Sequence, residues 1–227
     1  MAGRRQDETT PRIDPPRLRG LITGDPDDLR ADAGRDGERF DAPPLAGRDL
    51  RGLVLDGCAL TDVSFEDADL RTARFLESSI TGVRATTLRA AGSTWRDVQA
   101  SAWRIGAAEL WDSEWIGTAV GDSKFDYLNL QGATLRDVVL RDCVLEGLDL
   151  RDTTCTRVAL VRCRIGTLDV AGARFVDLDL RGSSLRVVDS AAALRGAIVD
   201  GDQLGDLAPL LAEAAGITVL PSVDRPE

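Results

Sequence analysis

Residues 134–185 decide the fold, and in groups of five they read TLRDV VLRDC VLEGL DLRDT TCTRV ALVRC RIGTL DVAGA RFVDL DLRGS SL. The second residue of each group is apolar, the last is small or apolar, and the others are mostly Arg, Asp, Glu, Gly or Thr. A spacing of five fits neither an amphipathic helix, which needs spacings of three and four, nor a strand, which needs alternation. A fixed repeat of this kind indicates a solenoid, whose units bury their apolar edges only against their neighbours.

The five-residue register extends well beyond this stretch. It begins at Phe40 and continues to Leu185, it weakens only at Ala85 and Ala90, and no residue is inserted along it. We therefore expect no loop to project from the solenoid.

Two segments, ALTDVSFEDADLRT at 59–72 and VLEGLDLRD at 144–152, resemble the pentapeptide-repeat family, whose pattern is small, Asp or Asn, Leu or Phe, polar, and Gly or Asp. The resemblance implies an all-β solenoid, a right-handed quadrilateral β-helix in which four five-residue faces make one coil. About seven coils, stacked about 4.8 Å apart, are expected. Some members of the family protect DNA gyrase from quinolones, and this chain is similar to the loop-free, DNA-imitating branch.

The pattern divides the chain into three parts. Residues 1–37 are rich in Arg, Asp, Pro and Gly and predict a flexible charged arm, with a partner-binding tail as the alternative. Residues 38–192 are the β-helix, and residues 193–227 are a C-terminal helical cap and dimerisation segment. A short helical turn is also possible near Pro26.

The cap is predicted from GDQLGDLAPLLAEAAGITVL at 201–220. Pro209 suits an early helical turn after Asp206, and Gly216 suits the end of the helix. A helix here would cover the open strand edges at the end of the solenoid. The resembled gyrase-inhibiting branch implies a two-fold dimer through this cap, and a monomeric cap is the alternative. The residues expected at the dimer contact are Leu204, Leu207, Leu210, Leu211 and Ile217.

Composition excludes several kinds of function. The chain has 28 basic and 38 acidic residues, a net charge of −10 and no histidine. Net acidity argues against direct nucleic-acid binding, and the lack of histidine removes catalytic triads and histidine-ligated metals. We expect no enzyme, no cofactor, no secretory signal and no membrane span, and hence a cytoplasmic protein.

The acidic residues suggest one candidate site. With a phase of twenty residues, acids and Asn129 recur along one face, interrupted only by Arg89, whereas the other three faces mix Arg and Asp. Because the repeat region holds nearly as many basic residues, only such a local column could imitate phosphates. The alternative is that these Asp residues bond the turn backbone. The candidate residues are Asp49, Asp69, Glu109, Asp112, Asp149, Asp152, Asp169 and Asp189.

Aromatic and thiol side chains complete the prediction. Trp95 and Trp115 lie one coil apart on one face, so their rings should stack, with the small residues Ala85, Ala90 and Ala100 making room. Trp111 is either part of this packing or an exposed binding anchor. The four cysteines occupy inward positions and predict buried thiols, and Cys143 and Cys163 should stay reduced.

Two functions remain open. The resemblance implies a non-enzymatic, DNA-imitating protein that binds a type II topoisomerase such as DNA gyrase and gives protection or resistance to antibiotics that target it. The alternative is a structural or scaffold module with another protein partner, because a fold does not imply a function.

Overall fold

The computed structural model describes residues 9–188 and 194–220, and short parallel strands are its main elements. The strands are β1 (Ile22–Thr23), β2 (Gly34–Asp36), β3 (Glu38–Asp41), β4 (Val54–Asp56), β5 (Ala59–Thr61), β6 (Arg74–Leu76), β7 (Ser79–Thr81), β8 (Arg84–Arg89), β9 (Thr94–Arg96), β10 (Gln99–Ser101), β11 (Arg104–Glu109), β12 (Glu114–Gly121), β13 (Lys124–Asn129), β14 (Thr134–Arg141), β15 (Val144–Asp149), β16 (Thr154–Val161), β17 (Arg164–Asp169), β18 (Arg174–Asp179), β19 (Ser184–Val188) and β20 (Ala197–Ile198). A 3₁₀ turn (Pro26–Asp28) lies near the start of this series and a helix, α1 (Gly201–Ala214), follows it.

Each strand pairs with the strands one coil before and after it. Leu135, for example, faces Trp115 on one side and Cys155 on the other. One sheet follows the order β1-β3-β5-β7-β10-β12-β14-β16-β18-β20, and the other follows β19-β17-β15-β13-β11-β8. Together they make the predicted right-handed quadrilateral β-helix, which is confirmed, with about nine coils rather than seven. The extra coils come from residues at both ends, outside the clear repeat.

The interior is filled by two residues from every group of five. The second residue of each group points inward, as Leu135, Leu140, Leu145 and Leu150 do, with exposed fractions of 3% or less. The last residue of each group lies at the inner corner, where Val138 and Leu148 are also buried. Because the apolar side chains of successive coils contact one another, the core is a continuous column along the rod.

The chain turns the corners through residues with positive φ. Asp97, Asp112 and Asp137 have φ values of 54°, 54° and 55°. This left-handed region suits Asp and Gly and is unfavourable for most other residues. At one corner, a Cβ added to Gly117 would lie 2.3 Å from Oδ1 of Asp97 in the coil before it. Gly above Asp is therefore a packing requirement at that corner.

Aromatic rings fill the middle of the core. Trp95 faces Trp115 in register, but the two rings are tilted by 36° with centroids 5.6 Å apart, so the direct stack expected between them does not form. Phe75 takes that place, lying 4.1 Å from Trp95 at an interplanar angle of 18°. Trp103 is buried against the edge of Trp95 and donates from Nε1 to the carbonyl oxygen of Ile80. The inward second residues of nearby groups, such as Ala90, are small and leave space for these rings.

The β-helix begins earlier than the predicted boundary at residue 37. Strands β1 and β2 already pair with β3 and β4, and Leu29 is fully buried at this end of the core. The expectation of a flexible arm over residues 22–36 is therefore wrong, because Leu29 and the strand pairing hold this segment. The five-residue register is not apparent in the sequence here because Arg35 occupies the second position of its group, which is usually apolar. Its side chain pairs there with Glu38 and Asp28. Further back, Arg12 N–H donates to Oδ1 of Asp137, so part of the preceding segment lies along the rod.

The C-terminal cap is a helix that starts earlier than predicted. Asp200 is its N-cap and forms a capping box with Gln203, so Pro209 lies inside the helix and not in its first turn. Gln203 Nε2 donates to the carbonyl oxygens of Leu180 and Ser183, and Leu207 is 7% exposed against the core. The helix therefore seals the last coil. No helix in the described residues is long and apolar enough to cross a membrane.

All four cysteines are buried and free, in agreement with the prediction. Burial raises the pKa of the Cys155 thiol to about 12. Contact with the Cys163 thiol, together with burial, raises the pKa of Cys143. These thiols therefore belong to the core packing.

Candidate functional site

The predicted acidic residues form a column on one face, which we call the ladder face. Asp49 faces Asp69, and Asn129 faces Asp149, which faces Asp169. Arg89 and Glu109 complete the column between these two groups. The structure therefore aligns the ladder as the sequence phasing predicted. Whether this column binds a partner stays a prediction.

Two predicted residues lie at the corner beside the ladder face, and one lies outside the described structure. Asp112 and Asp152 occupy equivalent corners with φ values of 54° and 56°, and both are exposed. Their carboxylates flank the column. Asp189 lies outside the described residues.

Arginines pair closely with three members of the ladder, and Nε of Arg151 also lies 3.3 Å from Oδ2 of a fourth, Asp169. Nη2 of Arg51 lies 2.6 Å from Oδ2 of Asp49, and the same distance separates Arg71 from Asp69 and Arg151 from Asp149. In each pair the Asp Oδ1 also accepts the backbone N–H of the Arg two residues later. We call this arrangement an Asp–Arg fork. Its sequence signal is the triplet Asp-Leu-Arg at 49–51, 69–71 and 149–151, which the phasing by twenty did not consider.

The forks keep these carboxylates ionised. Hydrogen bonds from the Arg51 side chain and backbone lower the pKa of Asp49 to about 2. The Arg71 side chain likewise lowers the pKa of Asp69. Burial alone would raise the pKa of Asp149, but hydrogen bonds from Arg151 and from the Tyr127 hydroxyl outweigh it, and the pKa is lowered. At neutral pH the two ends of the ladder face therefore present paired charges.

The middle of the ladder face has no fork, and we call it the central patch. It consists of Arg89, Glu109, Trp111, Tyr127 and Asn129. Trp111 and Tyr127 are 44% and 42% exposed, and Glu109 is exposed with no ion pair in the described part of the chain. Of the two interpretations of Trp111, the structure favours the exposed one. The patch therefore combines a solvent-facing indole with an unpaired carboxylate.

Small neighbours explain why these aromatic rings lie on the surface. Ala91 precedes Trp111 by one coil and is only 6% exposed. Tyr127 donates from its hydroxyl to Oδ2 of Asp149 at 2.8 Å, and its ring lies over Gly147. A Cβ at Gly147 would come within 2.8 Å of the Tyr127 ring. The Tyr127 ring is thus held in place by the coil after it.

The described residues include no group of three or more Cys, Asp or Glu side chains placed to hold a metal ion. The side chains of the ladder face are carboxylates, guanidinium groups and aromatic rings on a convex rod, which suit contact with another macromolecule.

The coiled architecture and its five-residue period define the class of protein: a quadrilateral β-helix built from pentapeptides. The family model for pentapeptide repeats matches residues 45–82 and 122–165, in eight copies. Over these two segments the chain is similar to the pentapeptide-repeat family.

Solved structures similar to this chain include relatives with different roles. Full-length QnrB1, a plasmid-mediated fluoroquinolone resistance protein, is 18% identical, with 81% of this chain and 97% of that chain covered and a TM-score of 0.26. A trypsin-treated QnrB1 variant is also 18% identical, with 82% of this chain and 97% of that chain covered and a TM-score of 0.33. HetL from Nostoc sp. strain PCC 7120, a pentapeptide-repeat protein involved in heterocyst differentiation regulation, is 15% identical. The match covers 73% of this chain and 89% of that chain, with a TM-score of 0.23. No curated protein matches the chain.

Proposed function

We propose that this chain is a non-enzymatic, protein-binding rod whose ladder face docks on a basic surface of a cytoplasmic partner. The partner that fits best is a type II topoisomerase such as DNA gyrase, whose DNA-binding surface is basic. Binding there would protect or inhibit the enzyme and give resistance to antibiotics that target it. The observation that carries the proposal is the alignment of acidic residues along one face, in a column interrupted by Arg89 and Asn129.

The central patch is the part of this face with charge to offer. Glu109 and the corner residues Asp112 and Asp152 form no ion pair among the described residues, so they are available to a partner's Arg or Lys. The exposed indole of Trp111 lies between Glu109 and Asp112 in the chain, and an aromatic face attracts a cationic side chain. Binding energy concentrates on such aromatic anchors, while surrounding charges set orientation and rate.

The forks support a second candidate function. Each fork carboxylate bonds the backbone of its own turn and is neutralised by arginine, which is a structural role. If the whole column is structural, the rod is a scaffold that holds another protein partner. In that case the binding residues lie elsewhere, and a topoisomerase does not bind the ladder face.

We also propose that the rod is a homodimer through its C-terminal end. Leu204 and Ile217 are 51% and 60% exposed beyond the core, and Leu210 and Leu211 are partly buried against it. Leu207 packs into the chain's own core, so it supports the cap and does not face a second copy. Exposed apolar residues at one end of the rod fit a two-fold contact between copies.

The test is a supercoiling and binding assay with DNA gyrase at low salt. The test variant combines Glu109→Gln, Asp112→Asn and Asp152→Asn, which removes three unpaired charges without disturbing a fork. The control combines Glu146→Gln, Asp62→Asn and Asp122→Asn. Asp62 and Asp122 occupy equivalent corners on another face, with φ values of 53° and 50°.

We expect the test variant to lose affinity and much of its salt dependence, while the control keeps both. Equal losses in the two variants would show that the ladder face is not the site. A wild-type protein that leaves supercoiling unchanged and does not bind gyrase at low salt would remove the topoisomerase proposal and leave the scaffold.

A further inference from the structure

A column of basic residues crosses the face that precedes the ladder face in each coil. Arg84, Arg104 and Lys124 are direct Cα partners in strands β8, β11 and β13. Paired residues of neighbouring strands lie about 4.8 Å apart, and like charges at paired positions repel. Arg164 continues the column after Val144. Stacking like charges in this way lowers the stability of the fold. We therefore expect the column to serve a role other than stability.

Some cations of the rod are paired with a carboxylate of a neighbouring coil, but within the described chain Arg84 and Arg104 are not. Opposite charges stack one coil apart in Asp137 and Arg157, whose side chains are 2.6 Å apart. In contrast, the Arg84 side chain makes no ion pair or hydrogen bond with the described residues, and Arg104 Nη1 donates only to backbone carbonyl oxygens. Only Lys124 has a carboxylate partner, Asp126 at 3.1 Å. Two guanidinium groups therefore remain available.

The basic column borders a groove of about 550 Å³, which we call the basic trough. Thr86 and Gly106 line it between the cations. A Cβ at Gly106 would lie 2.5 Å from the carbonyl oxygen of Thr86, so only glycine fits here against the preceding coil. Oε2 of Glu66 already lies in the trough and accepts the backbone N–H of Thr86 at 2.6 Å. The groove thus holds one carboxylate from the chain itself.

We propose that the basic trough is a second docking surface, which binds an acidic peptide segment of a partner protein. Carboxylates of the peptide would pair with Arg84, Arg104 and Lys124, and guanidinium groups match carboxylates with two parallel hydrogen bonds. Glu66 and Asp126 line the same groove and the whole chain carries a net charge of −10, so any anion meets some repulsion, and a densely charged polyphosphate chain meets more of it than a peptide does. A second smaller groove, of about 250 Å³, continues the face beside Arg164.

The inference stands apart from the proposed function, because it concerns another face and the opposite charge. The rod would then contact a basic surface with its ladder face and an acidic segment with the adjoining face. A negative result in the topoisomerase assay would not contradict the proposal for the basic trough. A negative result in the peptide assay would not contradict the proposal for the ladder face.

The experiment measures fluorescence anisotropy of a labelled oligoglutamate peptide at low and at physiological salt. The trough variant combines Arg84→Gln, Arg104→Gln and Lys124→Gln. The control combines Arg74→Gln, Arg136→Gln and Arg174→Gln, three exposed arginines without an ion pair in the described chain, on the opposite face. Both variants remove the same charge. We expect about a tenfold loss of affinity in the trough variant and little change in the control.

Three outcomes would overturn the proposal. Equal losses in both variants would mean that only net charge matters. A labelled single-stranded oligonucleotide that binds the trough more tightly than the peptide would replace the peptide with nucleic acid. A wild-type protein that binds neither probe at low salt would leave no docking surface.

A stability measurement separates a binding role from a structural one. Because the Arg84 side chain makes no hydrogen bond or ion pair with the described residues, Arg84→Gln should relieve repulsion and leave the Tm unchanged or raised. A Tm lowered by several degrees would show that the arginine serves the fold and would contradict the proposal.

Discussion

Asp149 tests which part of the ladder serves the fold, because it is the most buried carboxylate of the column. Its side chain is 2% exposed, whereas that of Asp49 is 48% exposed. It accepts hydrogen bonds from the backbone N–H, Nε and Nη2 of Arg151 and from the hydroxyl of Tyr127. In Asp149→Asn one oxygen can still accept the backbone N–H, but the new amide NH₂ cannot accept from the guanidinium group.

The cost follows from those lost bonds. Hydrogen bonds to a charged group contribute about 1.5 to 3 kcal/mol each when buried, and Arg151 can still turn to water, so we expect about 2 kcal/mol of destabilisation. For a chain of this size that corresponds to a fall in Tm of about 4 to 8 °C. Asp49→Asn should leave the Tm close to that of the wild type, because its exposed ion pair is screened by water.

The same argument gives a pH dependence. The folded pKa of Asp149 is lowered, so its contribution is present above the unfolded pKa of about 3.9 and is lost as the pH falls through the folded pKa. The difference in free energy of unfolding between the wild type and Asp149→Asn should therefore shrink below pH of about 4. Differential scanning calorimetry across this range measures it. An unchanged Tm combined with a large loss of partner affinity would refute the reasoning and make Asp149 a binding residue.

Two further predictions concern the exposed residues. Trp111 is 44% exposed, whereas Trp95, Trp103 and Trp115 are each 1% exposed. Trp111→Phe should therefore remove the part of the tryptophan fluorescence that acrylamide can quench and leave the Tm nearly unchanged. Strong quenching that persists in the variant would contradict the burial of the other three tryptophans. Leu204→Glu should convert a dimer to a monomer in sedimentation without unfolding the rod, since a carboxylate facing an apolar partner surface costs several kcal/mol, and a monomeric wild type would end the dimer proposal.

The fold could be predicted from the sequence because one spacing controls both packing and surface. The same register that places Leu135 in the core also places Asp149 beside Asp169. The first coil could not be predicted, since Arg35 occupies an inward position of the repeat and is accommodated there by its ion pairs with Glu38 and Asp28. The helix start was misplaced because Pro209 resembles a first-turn proline, whereas Asp200 is the N-cap.

The candidate site was predicted only in part, for a different physical reason. Phasing by twenty finds neighbours along the rod, such as Asp49 and Asp69, but does not consider the pairing of Asp49 with Arg51 within one coil. That pairing depends on how the backbone turns after Asp49, where Oδ1 accepts the N–H of Arg51. The exposure of Trp111 likewise depends on which way one side chain lies, and a periodic pattern does not determine it.

The constant coil length has a consequence for how such a protein can evolve. Between the ends, partner residues are separated by twenty positions, as in Leu135 and Cys155, whereas Ile22 faces Glu38 and Leu178 faces Ala197. The deletion of one residue inside the rod would shift every later residue by one position. Acidic side chains of the surface would then face the core, and leucine side chains would face water. Lineages can therefore change the length of this chain near its ends or by whole coils, and must alter its surfaces one substitution at a time.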